Sequence, residues 1–265
     1  SGSIRFDFKT CVGCGACVRD CPGEALQIQE KKAEYVRRCI QCGHCVAVCP
    51  TGAVSIPEYD MDEVEEYDKD TFRVDPEHFL HAVKFRRSVR NFKSTPIERE
   101  KLERILAAGR YTPTAKNTQG CRFVLVRDEM KAFKDLFWKE LPGILDVLKE
   151  EAPLYERVFR GFYEKYKKDP KDDTFFFNAT SFLVITSKNP LDGGLAAANI
   201  ENMAVAEGAG VLFSGYTKAV VENSDVLREW LGIGKRTVVC CMLMGYPAVS
   251  YKRTAPRKSG NIVIR

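Results

Sequence analysis

Apolar and polar residues alternate over short stretches near the N-terminus, whereas longer stretches with helical spacing follow later in the chain. Residues 26–29 and 33–36 alternate on either side of residues 30–32, a pattern typical of a small β-hairpin. This N-terminal region has too few apolar residues to hold a fold by its core alone. Between residues 58 and 70 the chain has eight Asp or Glu and one Lys, which predicts a solvated linker or a surface helix.

The chain after residue 70 shows the pattern of alternating helices and strands. Thr95 to Glu98 has the spacing of a capping box with Pro96 at the first helical position, and it predicts a helix that ends at Gly109. The apolar face of that helix is Ile97, Leu102, Ile105 and Leu106. Strands are predicted at residues 122–127, 181–187 and 237–245, an Ala-rich helix at 192–210, and a helix capped by Ser224. These elements predict a mixed α/β layer.

The composition allows one large domain or two moderate ones, since 45% of the 265 residues are hydrophobic and 29% are charged. The longest apolar run, residues 238–246, is half of the roughly 18 residues that a membrane helix needs. No membrane association is therefore expected. Ser1-Gly2-Ser3 leads directly to Ile4 and Arg5 without the apolar segment of a secretory signal, which favours a cytoplasmic location.

The formal net charge is +5, and the basic residues are spread along the chain. Nucleic-acid binding would require Lys and Arg to gather on one face together with aromatic residues. No nucleic-acid partner is therefore expected.

Cysteine is the most informative residue type, because eleven cysteines are many for a cytoplasmic protein and an odd number argues against a simple disulfide framework. Eight of them recur at an offset of 28 residues within the first 49 positions: Cys11, Cys14, Cys17, Cys21, Cys39, Cys42, Cys45 and Cys49. The same offset relates Pro22 to Pro50 and Ala25 to Ala53. The segment is an internal repeat of one supersecondary unit.

The spacing CxxCxxCxxxCP allows three thiolates of one loop to bind one iron–sulfur cluster while the fourth binds the other cluster. This rule assigns Cys11, Cys14, Cys17 and Cys49 to one cluster, and Cys39, Cys42, Cys45 and Cys21 to the second. The alternative is a pair of four-cysteine zinc sites, although zinc modules usually pair two CxxC knuckles across a longer loop. The segment resembles bacterial two-cluster ferredoxins over about residues 4–57, and the resemblance implies two 4Fe-4S clusters that act as one-electron carriers at low potential.

A basic segment opens the larger domain. Arg86, Arg87, Ser88 and Arg90 bring three guanidinium groups and a hydroxyl together within five residues, which suits a phosphate-bearing ligand. A solvated basic turn explains these residues equally well. Further motifs follow in order: residues 113–119, the stretch 192–210 with Asn199, then 213–215, 245–247 and Arg253.

With these motifs, residues 79–265 resemble the FMN-dependent nitroreductase family. The resemblance implies an α+β fold, a nitroreductase-type mixed α/β sandwich, and a homodimer that binds two FMN molecules at its interface. It implies that Arg86 and Ser88 hold the FMN phosphate with help from Arg253, and that Arg87 supports the ribityl chain. Arg90 would lie near the N1/O2 edge of the flavin, Asn117 would hydrogen-bond the ring, and Ser214 and Gly215 would place N–H groups near N5 and O4. Arg257 is a further phosphate candidate.

The chain departs from the family pattern at Gly120 and Cys121, where many relatives have Pro and Trp, so we expect a more open wall beside the flavin. Lys116 is a candidate for binding an anionic substrate, or it is a solvated lysine. The aromatic segment 133–177 corresponds to the variable region that shapes substrate access, although aromatic residues at helical spacing usually form core. Cys240 and Cys241 are predicted to be buried, unreactive thiols.

Together these features predict an iron–sulfur flavoprotein with three segments: a two-cluster ferredoxin-like domain at 1–57, an acidic linker at 58–78 and an FMN domain at 79–265. Electrons would pass from the clusters to FMN and on to a small-molecule acceptor such as a nitroaromatic, quinone or activated alkene. An external ferredoxin or NAD(P)H is the candidate donor. The alternatives are a flavin-destroying or dehalogenating enzyme on the same fold, and an electron-transfer or flavin-sensing module without its own turnover.

Overall fold

The computed structural model describes residues 4–265, and the chain divides into two compact units. The first, which we call the N-terminal unit, comprises Ser1–Val74 together with Thr114–Thr118. The second, the C-terminal unit, comprises Asp75–Pro113 and Gln119–Arg265. The expectation that the chain starts without a secretory signal falls partly on residues 1–3, which lie outside the described range. No helix described within residues 4–265 combines the length and the apolar character needed to cross a membrane.

The N-terminal unit consists of short elements. They are β1 Arg5–Phe6, α1 Ala16–Arg19, β2 Leu26–Gln29, β3 Lys32–Tyr35, α2 His44–Val48, β4 Val54–Ser55 and α3 Lys69–Phe72. Strands β2 and β3 form the predicted antiparallel hairpin, and β1 pairs with β4. Helices α1 and α2 start 28 positions apart, like the cysteines. The acidic segment contains one 3-10 turn at Met61–Glu63 and is exposed, as expected.

The helix of each copy follows a glycine in the left-handed region. Gly15 before α1 has φ +73°, and Gly43 before α2 has φ +76°. Side chains with a Cβ rarely adopt this conformation. The repeated glycine therefore allows the backbone to turn between the second and third cysteines of each loop.

The C-terminal unit is larger and has longer helices. Its elements are α4 Pro76–Phe85, α5 Arg99–Arg110, β5 Arg122–Val126, α6 Met130–Glu151, α7 Pro153–Lys168, β6 Ser181–Thr186, α8 Pro190–Ala206, β7 Gly210–Phe213, α9 Gly215–Glu222, α10 Asp225–Trp230 and β8 Val238–Gly245. The strands form one antiparallel sheet in the order β5-β6-β8-β7. All three predicted strands and the Ser224 cap are confirmed, since the Ser224 hydroxyl accepts a hydrogen bond from the Leu227 N–H at 3.1 Å.

Both faces of this sheet are covered by helices. Phe182 and Val184 of β6 belong to an apolar cluster that also contains residues of α6, α9 and α10. Leu183 and Ile185, which point to the other face, pack with residues of α5 and α8. Helices on both faces of one sheet form the predicted α+β sandwich, and the predicted fold class is confirmed.

The start of α5 differs from the prediction. The helix begins at Arg99, because Glu98 has ψ 143° and is therefore not helical. Ile97 is fully buried, and its carbonyl accepts a hydrogen bond from Arg127 Nε at 2.8 Å. These tertiary contacts replace the predicted capping box.

Gly109 also differs from its predicted role, because it lies inside α5 rather than ending it. A Cβ at this position would lie 2.6 Å from Ile200 Cδ1 of α8. The glycine therefore allows close packing of the two helices.

Candidate functional site

The eight repeated cysteines line two cavities in the N-terminal unit. The lining of one cavity includes Cys11, Cys14, Cys17 and Cys49. The lining of the other includes Cys21, Cys39, Cys42 and Cys45. Each cavity thus receives three cysteines from one copy of the repeat and the fourth from the other copy, a division that the spacing rule also predicts.

Each cavity presents four cysteine sulfurs, which is the donor set of a 4Fe-4S cluster. Within residues 4–265, no three His, Cys, Asp or Glu side chains form a group that could hold one metal ion. Backbone N–H groups donate hydrogen bonds to the thiols: Gln41 to Cys39 at 3.1 Å, Ala25 to Cys21 at 3.3 Å and Ala53 to Cys49 at 3.3 Å. Such hydrogen bonds to sulfur are one of the means by which proteins set cluster potentials.

The thiols differ in how readily they ionise. Burial raises the pKa of Cys45 to about 11. Burial also acts on Cys49, but hydrogen bonds from the Ala53 backbone and the Thr51 side chain outweigh it and lower the pKa of that thiol. Iron binds the thiolate form, so a bound cluster would stabilise the ionised state of both groups.

The two cysteine loops have different hydrogen-bond partners. In the first loop, Arg19 Nη1 donates to the Cys14 carbonyl at 3.1 Å and Lys32 Nζ donates to the Cys11 carbonyl at 2.6 Å. In the second loop, the side-chain nitrogen of Asn117 donates to the carbonyls of Ile40 and Gln41, at 2.9 Å each.

Two further bonds hold Gln41 in place. The Tyr59 hydroxyl also donates to the Gln41 carbonyl at 3.2 Å, and the Gln41 side chain donates to Glu58 at 2.6 Å. The sequence motif did not predict the contact between Asn117 and the second cysteine loop.

In the C-terminal unit, Arg86 follows directly after α4 and forms an ion pair with Glu201 of α8, with 2.9 Å between Nη1 and Oε1. The Glu201 side chain is only 8% exposed, and its second oxygen has no hydrogen-bond partner within residues 4–265. The sequence motifs do not point to Glu201, although an acidic residue within the Ala-rich stretch 192–210 is a detectable signal. The ion pair fixes one end of the Arg86 guanidinium and leaves its other N–H groups for a ligand.

The rest of the basic motif runs beside β7. Ser88 forms a parallel bridge with Val211, and the N–H of Val89 donates to the Val211 carbonyl at 3.1 Å. The Arg87 guanidinium lies 4.8 Å from the centre of the Tyr251 ring. This contact brings the motif next to the C-terminal segment that contains the exposed residues Arg253 and Arg257; Arg90 is exposed as well.

Ser214 and Gly215 lie at the start of α9. The Ser214 hydroxyl accepts from the Thr217 N–H at 3.1 Å, and the Ser214 N–H donates to the Cys241 carbonyl at 2.8 Å. Gly215 is exposed, and its N–H has no hydrogen-bond partner among residues 4–265. A free N–H at the positive end of a helix fits the electron-rich edge of a ligand.

The remaining predicted residues are placed as follows. Lys116 is exposed and has φ 54°, and Cys121 is half-buried. Burial raises the pKa of Cys240 to about 11 and that of Cys241 well above its ordinary value, which disfavours the reactive thiolate of both. Cys241 is buried as predicted, whereas Cys240 is half-buried.

The aromatic segment 133–177 forms core. Phe133, Phe137, Phe159 and Phe176 are fully buried, and Phe133 stacks on Phe182 of β6 with 4.4 Å between ring centres. Tyr155 is exposed by 48%, and its ring contacts the Tyr216 ring edge to face. A role of this segment in substrate access stays a prediction.

Sequence models of two families match the chain: the nitroreductase family over residues 83–246, and a 4Fe-4S dicluster domain over residues 3–67. No curated protein sequence matches it significantly.

Solved structures share the fold of the C-terminal part. A nitroreductase with bound FMN from Bacteroides fragilis is 20% identical, with a TM-score of 0.57 over 70% of this chain and 97% of that one. A nitroreductase with bound FMN from Desulfitobacterium hafniense is 19% identical, with a TM-score of 0.55 over 71% and 98%. An FMN-dependent nitroreductase from Clostridium difficile is 17% identical, with a TM-score of 0.53 over 72% and 100%.

Proposed function

Because this chain belongs to the nitroreductase family over residues 83–246 and carries a 4Fe-4S dicluster domain at residues 3–67, we propose that it is an FMN-dependent oxidoreductase that passes electrons from two 4Fe-4S clusters through FMN to an organic acceptor. The observation that carries the proposal is the sorting of eight cysteines into two four-cysteine cavities in a chain whose other part has a nitroreductase fold. FMN, when bound, connects one-electron carriers to two-electron reduction of a substrate.

The proposed cluster ligands follow the lining of the two cavities. The first cluster is held by Cys11, Cys14, Cys17 and Cys49, and the second by Cys21, Cys39, Cys42 and Cys45. The N–H donors at Ala25, Gln41 and Ala53 would offset the negative charge of the coordinated sulfurs.

The basic motif is the proposed phosphate site. Arg86, oriented by Glu201, would bind the FMN phosphate together with Ser88 and Arg253, and Arg257 is a further candidate. Arg87, held against Tyr251, would support the ribityl chain. Arginine suits this role because its planar fork binds phosphate oxygens in pairs.

Three other groups are the proposed contacts of the FMN ring. Arg90 would lie near the N1/O2 edge, where its positive charge stabilises the reduced, anionic form. The free N–H of Gly215 at the start of α9 would donate to the N5/O4 edge beside Ser214. Asn117 would bind the ring from the loop 114–118.

The proposed acceptor is a nitroaromatic, quinone or activated alkene, because the small residues Gly120 and Cys121 would leave the wall beside the flavin open. The proposed donor is an external ferredoxin or NAD(P)H. The chain is expected to work in the cytoplasm, since cluster thiolates need a reducing compartment.

We also propose a homodimer with an FMN at each subunit interface. Dilution should then release flavin as the dimer dissociates, which sedimentation combined with flavin fluorescence would detect. A monomer that retains its full flavin content at working concentration would contradict this assembly.

Anaerobic titration of the holoprotein with a one-electron donor tests the proposed function. Cluster absorbance should bleach before or together with flavin absorbance, and an acceptor added afterwards should reoxidise the flavin first. Cys42→Ala should slow donor-driven reduction of the flavin and spare the oxidation of flavin reduced by light. Cys240→Ala, which alters a cysteine outside both cavities, is the matched control. Unchanged flavin reduction in Cys42→Ala would show that the clusters do not supply the electrons.

A further inference from the structure

The two cysteine loops of the N-terminal unit are equivalent in the repeat but differ in the apolar surface beside them. Phe8 is 60% exposed, and its counterpart 28 positions later, Val36, is 40% exposed. Val12 is 64% exposed, and its counterpart Ile40 is 44% exposed. The first loop therefore presents more apolar surface to solvent than the second.

The cysteines of the two loops differ in the same direction. Cys14, in the lining of the first cavity, is exposed, whereas its counterpart Cys42, in the lining of the second cavity, is half-buried. An electron passes between two proteins only where their redox centres approach closely, so an exposed ligand shortens the path. A cluster held in the first cavity would be the more accessible of the two to a donor outside the chain.

Exposed lysines border the apolar pair Phe8 and Val12. Lys9 lies between them in sequence and is exposed. Lys31 is exposed as well, and its carbonyl oxygen lies 2.1 Å from the position that a Cβ of Gly13 would take. The backbone of Lys31 therefore packs against the first cysteine loop.

Two further cations are hydrogen-bonded to the backbone of this loop. Arg19 Nη1 donates to the Cys14 carbonyl at 3.1 Å. Lys32 Nζ donates to the carbonyl of Cys11 at 2.6 Å and to that of Phe8 at 2.8 Å. These bonds keep two positive charges at the first loop.

Acidic residues are fewer here than basic ones. Asp7, whose carboxylate accepts a hydrogen bond from the Lys9 N–H at 2.9 Å, and the exposed Glu30 are the two acidic residues of segments 7–14 and 30–32. Lys9, Lys31, Lys32 and Arg19 outnumber them. We call this surface the first-loop face and define it by Phe8, Lys9, Val12, Cys14, Arg19, Lys31 and Lys32.

The second loop has acidic neighbours. His44 Nδ1 and Asp20 Oδ2 lie 3.1 Å apart, and Glu58 accepts a hydrogen bond from the Gln41 side chain at 2.6 Å. Glu58 also opens the acidic segment, which has eight Asp or Glu and one Lys. A partner with an acidic surface would be repelled there and attracted to the first-loop face, because complementary charges steer association and opposed ones suppress it.

We propose that the first-loop face is the docking surface for a small acidic protein that carries a one-electron centre, and that the cluster of the first cavity is reduced there. The inference rests on the proposed function, in which an external donor supplies the clusters. In each encounter the centre of the partner is oxidised by one electron and the first cluster is reduced by one; no bond forms or breaks. Phe8 and Val12 supply the apolar contact, and a small face suffices because electron-transfer complexes have small interfaces.

The variant that combines Lys9→Glu with Lys31→Glu reverses two cations and leaves every proposed cluster ligand in place. A strongly acidic plant-type 2Fe-2S ferredoxin, reduced photochemically, is the probe, and cluster absorbance is followed by anaerobic stopped-flow mixing. Reduction of the clusters should slow about tenfold at low salt, and the difference from wild type should shrink as salt is added. Reduced methyl viologen, a small cation, should reduce the variant no more slowly than the wild type.

The variant that combines Arg37→Glu with Arg38→Glu is the matched control. It makes the same change in net charge at two exposed residues that directly precede Cys39 of the second loop. Its clusters should be reduced by the ferredoxin much faster than those of the lysine variant. Equal slowing in the two double variants would show that net charge, and not this face, sets the rate, and it would overturn the inference.

Phe8→Ala tests the apolar part of the face, because the bond from Lys32 goes to the Phe8 carbonyl and stays available in the variant. The ferredoxin should bind about tenfold more weakly, with little change in salt dependence. Wild-type rates and affinity in both Phe8→Ala and the lysine variant would overturn the inference. So would wild-type clusters that accept electrons from viologen but not from the acidic ferredoxin.

The same experiment separates this inference from the proposed function, because cluster and flavin absorbance are followed together. Clusters that the ferredoxin reduces at the first-loop face while the flavin stays oxidised would contradict the proposed electron path to FMN and not the docking surface.

Discussion

The two units of this chain are stabilised by different means. Among residues 4–74, the apolar cluster of the N-terminal unit has nine buried residues, and three of them are cysteines. The core of the C-terminal unit is built from fully buried aromatic and aliphatic side chains on both faces of a sheet. We therefore expect the N-terminal unit to depend on what its thiols bind and the C-terminal unit to be stabilised by its own side-chain packing.

The lengths of the elements point to the same difference. Strands β1 and β4 have two residues each, and helix α1 has four. Helix α6 has 22 residues and buries eight side chains. Isolated helices and hairpins as short as those of the N-terminal unit are not stable in water, so a bound cofactor has to replace the missing core.

Removal of iron should have the largest effect and tests this comparison directly. Chelation should abolish amide protection in residues 4–56, because the metal-binding free energy is the folding free energy of such a unit. Strands β6 and β8 should keep their protection. Hydrogen-exchange mass spectrometry of the holoprotein and the iron-free protein measures both. An N-terminal unit that stays protected without iron would contradict the comparison.

Phe133→Ala should destabilise the C-terminal unit by about 3–5 kcal/mol, since it removes a fully buried ring that stacks on Phe182. Both tryptophans, Trp138 and Trp230, lie in this unit, so denaturant unfolding followed by tryptophan fluorescence reports on it selectively. The iron content of Phe133→Ala should stay at about eight atoms per chain. Leu154→Ala, at a side chain that is 77% exposed, is the control and should have little effect.

Arg86→Ala should weaken FMN binding by about ten- to a hundredfold, equivalent to roughly 1.5–3 kcal/mol for a charged hydrogen bond. Lys116→Ala, at an exposed residue of the N-terminal unit, should change FMN affinity much less. Fluorescence titration of the flavin-free protein gives both dissociation constants. Arg86→Ala also leaves the Glu201 carboxylate unpaired, so the variant that combines Arg86→Ala with Glu201→Gln isolates the phosphate contact. Equal FMN affinity in the Arg86 and Lys116 variants would contradict the site.

Gly143→Ala should have the smallest effect, a stabilisation of the C-terminal unit by about 0.4–1 kcal/mol. This glycine lies inside α6, and a Cβ there would meet open space. Gly109→Ala should instead destabilise the unit, because its Cβ would collide with Ile200. Thermal unfolding monitored by tryptophan fluorescence compares the two variants, and a destabilised Gly143→Ala would show that α6 is not a regular packed helix.

Much of the secondary structure could be predicted from local patterns. The hairpin, the strands β5, β6 and β8 and the Ser224 cap follow from alternation, apolar runs and capping chemistry, which act over a few residues. The start of α5 could not be predicted, because the burial of Ile97 and its bond to Arg127 come from distant parts of the chain. Gly109 was misassigned for the same reason, since its neighbour Ile200 lies on another helix.

The candidate sites also combine features that the local sequence predicts with features that only distant contacts determine. The fixed spacing of the cysteines predicts a grouping with which the linings of the two cavities agree, since three cysteines of each proposed set lie within seven residues of sequence. The Arg86–Glu201 pair joins residues 115 positions apart, and the Asn117–Ile40 bond joins residues 77 positions apart. The repeat alone makes the two cysteine loops equivalent. Only the tertiary structure makes them different, because the chain has to fold before the loop 114–118 can donate its hydrogen bonds to one of them.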